Sequence, residues 1–198
     1  ANMQVLSVDG RRAVQFINGY KKPAIFTLYR IEPGDFASLY RTHFGLKYYY
    51  SPVKWVDTSK LEKIVTWPVA AAGNIQETLL PADTLTGTYL LTIGTDGKLA
   101  DQLFVVVTRY KLVLKRSPER VWVWATDFEG NNAKDLRIRL YTDNGAIMRE
   151  GQTGADGIFS TSLPTEQKPS LVTAMSEDGD FTAVGFSSAW QGSTYNED

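Results

Sequence analysis

Hydrophobic and polar residues alternate along much of the chain with a period of two. Leu136, Ile138 and Leu140 alternate with two arginines and a tyrosine. This spacing predicts a strand with one face in a core and the other in water. Residues 88–93 and 158–163 repeat the pattern. Runs of β-branched and aromatic residues predict further strands at 24–31, 63–69, 103–110, 121–126 and 171–175.

Short turn sequences ending in Asp-Gly or Asn-Gly separate the predicted strands. They occur at residues 9–10, 95–97, 143–145, 155–157 and 177–179. Asp-Gly and Asn-Gly supply the positive φ angles of tight hairpins, so we expect consecutive strands to be antiparallel neighbours. The segment 136–163 is therefore predicted to be a three-stranded meander. Its second turn should be closed by Gly157 with a positive φ.

A short helical turn is expected at Pro33–Thr42, with Asp35 as a candidate cap. Because long amphipathic helices are missing, the predicted class is all-β. An immunoglobulin-like sandwich takes about 100 residues. The 198 residues therefore predict two tandem antiparallel β-sandwiches, at 1–110 and 111–198, that meet at Tyr110. One larger sandwich is the alternative.

Composition excludes several classes of partner and of catalytic chemistry, but it does not identify a function. Lys and Arg number 21 against 22 Asp and Glu, so no field attracts nucleic acid or anionic lipid. No apolar run approaches the roughly 20 residues that cross a bilayer. The absence of cysteine removes disulfides, thiolate metal sites and cysteine nucleophiles. One histidine, His43, makes a metal centre or catalytic triad hard to build. We therefore expect no enzymatic activity, no metal and no cofactor.

Two aromatic clusters are candidates for contacts. Consecutive tyrosines in a strand point to both of its faces, which predicts an exposed partner surface or glycan platform among Tyr48, Tyr49, Tyr50, Trp55 and Trp67. Packing of this cluster against a neighbouring domain is an equal alternative. In the second cluster, Trp122 and Trp124 alternate with valine and alanine, so both faces of the strand are apolar. We expect these tryptophans to pack in a core or between domains, with a sugar-stacking platform as the alternative.

Charged residues near the turns have simpler explanations. Oxygen-bearing side chains that could hold calcium are Asp143, Asn144, Asp156, Asp178 and Asp180. Their spacing does not match an EF-hand loop, and turn geometry explains Asp before Gly. A basic cluster interrupted by an acidic residue is predicted to be solvated surface; it comprises Lys111, Lys115, Arg116 and Arg120.

The order of strands and turns after residue 120 resembles a known family. The sequence Val-Trp-Val-Trp-Ala-Thr-Asp at 121–127 is followed by a strand at 136–141, an Asp-Asn-Gly turn, and Thr-Gly-Ala-Asp-Gly at 153–157. This order is similar to a macroglobulin-like domain of bacterial alpha-2-macroglobulins. Residues 28–33, 87–91, 105–108 and 112–115 resemble the preceding macroglobulin-like domain and its junction. The loop at 130–135 departs from the family, which usually carries a Gly-Lys-Pro-Val type of stretch there.

The resemblance implies a non-enzymatic scaffold from the N-terminal part of a large protease trap. The parent would be exported, to the periplasm or cell surface, with proteases as its targets and its own neighbouring domains as partners of this fragment. The family's bait segment and Cys-x-x-Glu-Gln thioester would lie outside the fragment, since the chain has no cysteine. One rival is a bacterial surface adhesin or carbohydrate-binding tandem of immunoglobulin-like domains. Another is an accessory domain of a secreted hydrolase.

Overall fold

Strands make up most of the chain and confirm the all-β class. A computed structural model describes residues 3–17, 22–44, 55–71, 75–164 and 169–186. The elements, in chain order, are β1 (Met3–Ser7), β2 (Ala13–Ile17), β3 (Ala24–Ile31), α1 (Pro33–Phe44), β4 (Glu62–Val69), β5 (Ile75–Leu79), β6 (Gly87–Thr95), β7 (Lys98–Thr108), β8 (Tyr110–Arg116), β9 (Arg120–Asp127), β10 (Arg137–Thr142), β11 (Ile147–Gln152), β12 (Ile158–Ser162), β13 (Pro169–Met175) and β14 (Phe181–Gly185).

The first seven strands form two sheets around a common core. The larger sheet has the order β1-β7-β6-β3-β4, and β2 pairs with β5 in a separate ribbon. All of these pairs are antiparallel except β1 with β7, which are parallel. The ribbon packs on the large sheet through a cluster that includes Val14, Phe26, Leu28 and Leu91.

Strands β6 and β7 are buried on both faces. Leu91 and Val105 point into the core beneath the ribbon, whereas Leu90, Phe104 and Val106 belong to a cluster on the opposite face. Period-two alternation predicts one wet face for a strand such as β6. The nearly continuous apolar run of β7 is instead typical of a strand covered on both sides.

The helix that covers this second face is longer than the sequence predicts. Helix α1 runs for 12 residues, so the expected end at Thr42 is two residues short. Asp35 is inside the first turn rather than at the cap, and its amide N donates to the carbonyl of Glu32 at 2.9 Å. A carboxylate there favours the helix through its macrodipole. Pro33 at the first helical position is preorganised by its fixed φ.

The last seven strands form a two-sheet sandwich. One sheet has the order β11-β10-β13-β14 and the other β12-β9-β8. Their inner faces enclose a core that includes Val123, Leu136, Ile138, Leu140 and Val172. The predicted inward direction of the three residues in and before β10 is therefore confirmed.

The predicted meander over 136–163 is wrong at its second turn. Strands β10 and β11 do form a hairpin, but β12 pairs with β9 in the opposite sheet. Gly157 has the expected positive φ, at 73°, yet it carries the chain from one sheet to the other. A Cβ on Gly157 would lie 2.6 Å from the carbonyl oxygen of Ala125. Glycine is thus required by both conformation and close approach.

The division of strands agrees with a junction near the middle of the chain. Strand β7 ends at Thr108 and β8 begins at Tyr110. Among the described residues, no hydrogen-bonded sheet contains strands from both sides of this junction. The domain boundary between residues 110 and 111 stays a prediction. Within the described parts of the chain, no helix has the length and apolar character needed to span a membrane.

Candidate interaction surfaces

An apolar cluster joins the two halves of the chain across helix α1. Phe36 of α1 is fully buried, and its ring centroid lies 5.4 Å from that of Phe104 and 5.2 Å from that of Phe181. Phe104 belongs to the first large sheet, whereas Phe181 lies on the outer face of the β11-β10-β13-β14 sheet. Leu171 and Ala183 extend the cluster along that face. We call this set the junction core.

A buried carboxylate fixes the connection between β7 and β8. Asp180, at the end of the β13–β14 turn, accepts the Thr108 hydroxyl at 2.7 Å, the Arg109 backbone N–H at 3.1 Å and the Arg109 Nε at 2.7 Å. Its side chain is 3% exposed. Three donors satisfy the charge that burial would otherwise penalise. The carboxylate therefore holds the β7–β8 connection against the second sandwich.

Arg109 is held by two carboxylates of the same turn. Its Nη2 pairs with the more exposed Asp178. Hydrogen bonds first to Asp180 and then to Asp178 raise the pKa of Arg109 above its ordinary value. The Ser176 hydroxyl and then Arg109 lower the pKa of Asp178. Because that pKa is depressed, the stabilisation from ionised Asp178 is present above the ordinary aspartate pKa and is lost as pH falls through the lower, folded value.

The first predicted aromatic cluster lies only partly within the described residues, so its role as an interaction surface stays a prediction. Tyr48, Tyr49 and Tyr50 lie outside the described residues. Trp55 is exposed, but Trp67 is half-buried against the first core, where its ring stacks on Phe26 with centroids 5.6 Å apart. The indole N–H of Trp67 donates to the Thr78 hydroxyl at 2.9 Å and links β4 to β5. The side chain of His43 also lies outside the described part of α1.

Sequence reasoning missed the residue that holds the segment after Trp55. Gln102 is buried in β7, and its side-chain amide contacts the backbone of Val56 twice. Gln102 Oε1 accepts the Val56 N–H at 2.7 Å, and Nε2 donates to the Val56 carbonyl at 2.9 Å. In the sequence Gln102 follows Asp101 at the start of the apolar run 103–107, and nothing in that pattern signals this role.

The outer face of the β12-β9-β8 sheet exposes the second aromatic cluster. In β9, Val121, Val123 and Ala125 point into the second core, so the tryptophans point away from it. Trp122 is half-buried and Trp124 is 42% exposed. The expected core or interdomain packing of these tryptophans is not seen among the described residues. We call the outward side of this sheet the tryptophan face.

The irregular loop after β9 supports the tryptophan face. The Trp124 indole N–H donates to Asn132 Oδ1 at 3.0 Å. Asp127 anchors the loop by accepting the backbone N–H of Glu129 and of Asn131. Hydrogen bonds first from the Asn131 side-chain amide and then from the Asn131 backbone lower the pKa of Asp127. Gly130 has a positive φ of 96°. The loop that departs from the family's usual sequence is thus closed by its own side chains.

Four of the five residues of the candidate calcium set stabilise turns or the junction. Asn144 Oδ1 accepts the Ala146 N–H at 3.1 Å, and Asp156 Oδ1 accepts the Ile158 N–H at 3.0 Å. Asp178 and Asp180 bind Arg109, as described above. No group of three or more metal-ligating side chains occurs within the described ranges.

Solved structures share this fold. A crystal structure of native Escherichia coli alpha-2-macroglobulin spanning domains NIE-MG1 aligns with a TM-score of 0.70 and 16% identity over 94% of each chain. A longer fragment of the same protein, MG0-NIE-MG1, aligns with a TM-score of 0.69 and 14% identity over 93% of this chain and 62% of the fragment. A Salmonella alpha-2-macroglobulin mutant aligns with a TM-score of 0.62 and 14% identity over 94% of this chain.

These alignments confirm the resemblance to bacterial alpha-2-macroglobulin domains at the level of fold. The chain spans 11% of the Salmonella protein, so it corresponds to a small part of a much longer chain there. No protein-family model matches the sequence, and no curated protein matches it. At these low identities, the similarity to these proteins is one of fold.

Proposed function

We propose that the chain is a non-enzymatic scaffold segment of an exported alpha-2-macroglobulin-like protease inhibitor. The parent would act as an endopeptidase trap in the periplasm or at the cell surface. Its bait and thioester regions would lie elsewhere in the parent chain. Neighbouring domains of the parent would be the direct partners of this segment.

The junction core is the observation that carries this proposal. A scaffold must transmit a displacement from one module to the next, and a flexible connection would absorb it. Here Phe36 is in ring contact with aromatic residues from both sides of the junction, and Asp180 binds the connecting residues directly. Close-packed contacts of this kind have low compressibility and transmit strain.

We also propose that the chain comprises two domains, 1–110 and 111–198. The separate hydrogen-bonded sheets and the two sandwich cores support this division. So does the alignment with a fragment described as an NIE and an MG1 domain, in that order. The first domain would then correspond to NIE and the second to MG1, rather than both being macroglobulin-like domains of one kind.

Protection of a large substrate tests the proposed function. The protein encoded by the whole gene is mixed with trypsin at increasing molar ratio, and digestion of casein is followed. We expect stoichiometric protection of casein by the parent and none by the 198-residue segment. The Phe36→Ala variant of the parent should protect less than the wild type, because the junction core is disrupted.

Three outcomes would contradict the scaffold role. The isolated segment could protect casein by itself, which would make it the inhibitor. It could hydrolyse generic peptide, ester or glycoside substrates, which would make it an enzyme. The parent could fail to protect casein while binding immobilised glycans, which would favour the adhesin.

A further inference from the structure

We propose that the tryptophan face is a docking surface for a protein partner that presents an apolar stripe flanked by carboxylates. This surface goes beyond the scaffold role and does not depend on whether the parent traps proteases. The three strands of its sheet already cover the second core with their other side. Their outward side therefore contributes nothing to that core.

An exposed apolar row crosses the three strands of the face. Val113 of β8 and Ile158 of β12 are the register partners of Trp124 in β9. Their exposed fractions are 50% for Val113, 42% for Trp124 and 39% for Ile158. Adjacent strands are about 4.8 Å apart, so the row is contiguous. Single exposed apolar residues are ordinary on protein surfaces, but a contiguous apolar patch marks an interaction site.

Cations lie on both sides of this row. Lys111 and Lys115 flank Val113 along β8, each two residues away on the same side of the strand. Arg120 lies further along the neighbouring β9 and donates to the Ser160 hydroxyl. Neither lysine forms an ion pair with a described residue.

The lysines also extend the face through their ring contacts. Lys115 Nζ lies 5.9 Å from the Trp122 ring centroid, and Lys111 Nζ lies 5.9 Å from that of Phe128. No carboxylate occurs at the outward positions of β8, β9 and β12. The charged residues at the outward positions of these three strands are therefore all cations, and their complement is an acidic surface.

The chemistry of the face favours a protein over a glycan. A sugar platform combines an aromatic ring with amide or carboxylate groups that bind hydroxyls. Here the neighbours of Trp124 in the row are aliphatic, and the amide oxygen of Asn132 beside its ring already accepts the indole N–H. An exposed tryptophan is typical of the anchors of protein interfaces.

Two synthetic peptides of opposite charge test the proposal. Each is a blocked 14-residue amphipathic helix with the same leucine and phenylalanine face, flanked in one by glutamates and in the other by lysines. Binding to the 198-residue chain is measured by fluorescence anisotropy of the labelled peptide. The perturbed residues are mapped from amide and indole shifts in 15N spectra, with the Trp124 indole assigned from the Trp124→Phe variant.

We expect the glutamate peptide to bind at least tenfold more tightly than the lysine peptide at low salt and to shift the Trp122 and Trp124 signals. The difference should shrink in 1 M salt, where charges are screened beyond about 3 Å. The double variant Lys111→Glu/Lys115→Glu should reverse the preference between the peptides. Val113→Asp should weaken both, whereas the matched control Ile147→Asp, an exposed aliphatic residue on β11, should change neither.

Other occupants give different results. Equal affinity for the two peptides, or shifts confined to residues away from the face, would overturn the proposal. Neutral oligosaccharides that shift the Trp124 indole while neither peptide does would assign the face to a glycan. Self-association in sedimentation that Val113→Asp abolishes, without peptide binding, would assign it to a second copy of the chain.

Discussion

The two sheets of the second sandwich both carry aromatic residues on their outer faces, but only one of these faces is covered. On the β11-β10-β13-β14 sheet, Phe181 is 5% exposed because Phe36 of α1 packs on it. On the β12-β9-β8 sheet, Trp124 is 42% exposed and its row neighbours are aliphatic. Aromatic residues on an outer face thus have two different roles here. Those on the covered face set the relation between the two halves, and those on the open face remain available for a partner.

The largest expected effect comes from removing the side chain that covers the first of these faces. Phe36→Ala deletes a fully buried ring from the junction core and should lower the free energy of unfolding by about 3–5 kcal/mol. Hydrogen exchange measured by segment should show lost protection in both β7 and β14. Phe36→Leu, which keeps most of the volume, should cost clearly less. Loss confined to one half would contradict a shared junction core.

A smaller loss of stability is expected at the turn before β12, an edge strand of the sheet that carries the open face. Gly157→Ala places a side chain at positive φ and 2.6 Å from the Ala125 carbonyl oxygen. Conformational strain and overpacking together should destabilise the chain by about 2–4 kcal/mol in thermal unfolding. Gly179→Ala, at a positive φ but with nothing within 4 Å, is the matched control and should cost only the strain. Equal losses for the two variants would contradict this, because they would mean that the backbone moves and removes the close contact with Ala125.

Removing the buried carboxylate tests the polar half of the covered junction. Asp180→Ala leaves the Thr108 hydroxyl and the Arg109 backbone N–H without their acceptor and should cost about 2 kcal/mol in urea unfolding. Asp178→Ala removes an exposed carboxylate that binds the same arginine and the Ser176 hydroxyl, and it should cost less because water can replace these contacts. A larger loss of unfolding free energy in Asp178→Ala than in Asp180→Ala would contradict this prediction.

The smallest effect on stability is expected on the open face. Trp124→Gln removes an exposed ring from the outer side of β9 and should change the free energy of unfolding by no more than about 0.5 kcal/mol. The measurement is the same urea titration. A loss as large as that of Phe36→Ala would mean that the tryptophan face is covered within this chain.

The sequence predicts the strands and the inward side of β10 because period-two alternation reports directly which residues share a face. It also predicts the positive φ at Gly157, since few other residues adopt that conformation. Alternation does not report which sheet a strand joins, so β12 is misplaced in a meander. Nor does it distinguish a covered outer face from an open one, because an aromatic residue such as Trp124 or Phe181 gives the same signal on either face.

The parts of the surfaces that escape prediction depend on contacts between residues distant in the chain. Phe36 meets Phe181 across 145 positions of sequence, and no local pattern signals that meeting. Gln102 holds Val56 by a side-chain amide that imitates a strand's backbone. The basic cluster and the tryptophans are separately visible in the sequence, but their shared face depends on the register of β8 with β9.

Residual dipolar couplings of the backbone amides test the central claim, that the junction core and Asp180 hold the two halves as one body. Couplings are measured in one alignment medium, and separate alignment tensors are fitted to the described amides before and after Arg109. The account predicts tensors of the same magnitude and orientation in the wild type, and tensors that diverge in Phe36→Ala/Asp180→Ala. Tensors of different magnitude in the wild type would mean independent tumbling of the two halves and would contradict the scaffold.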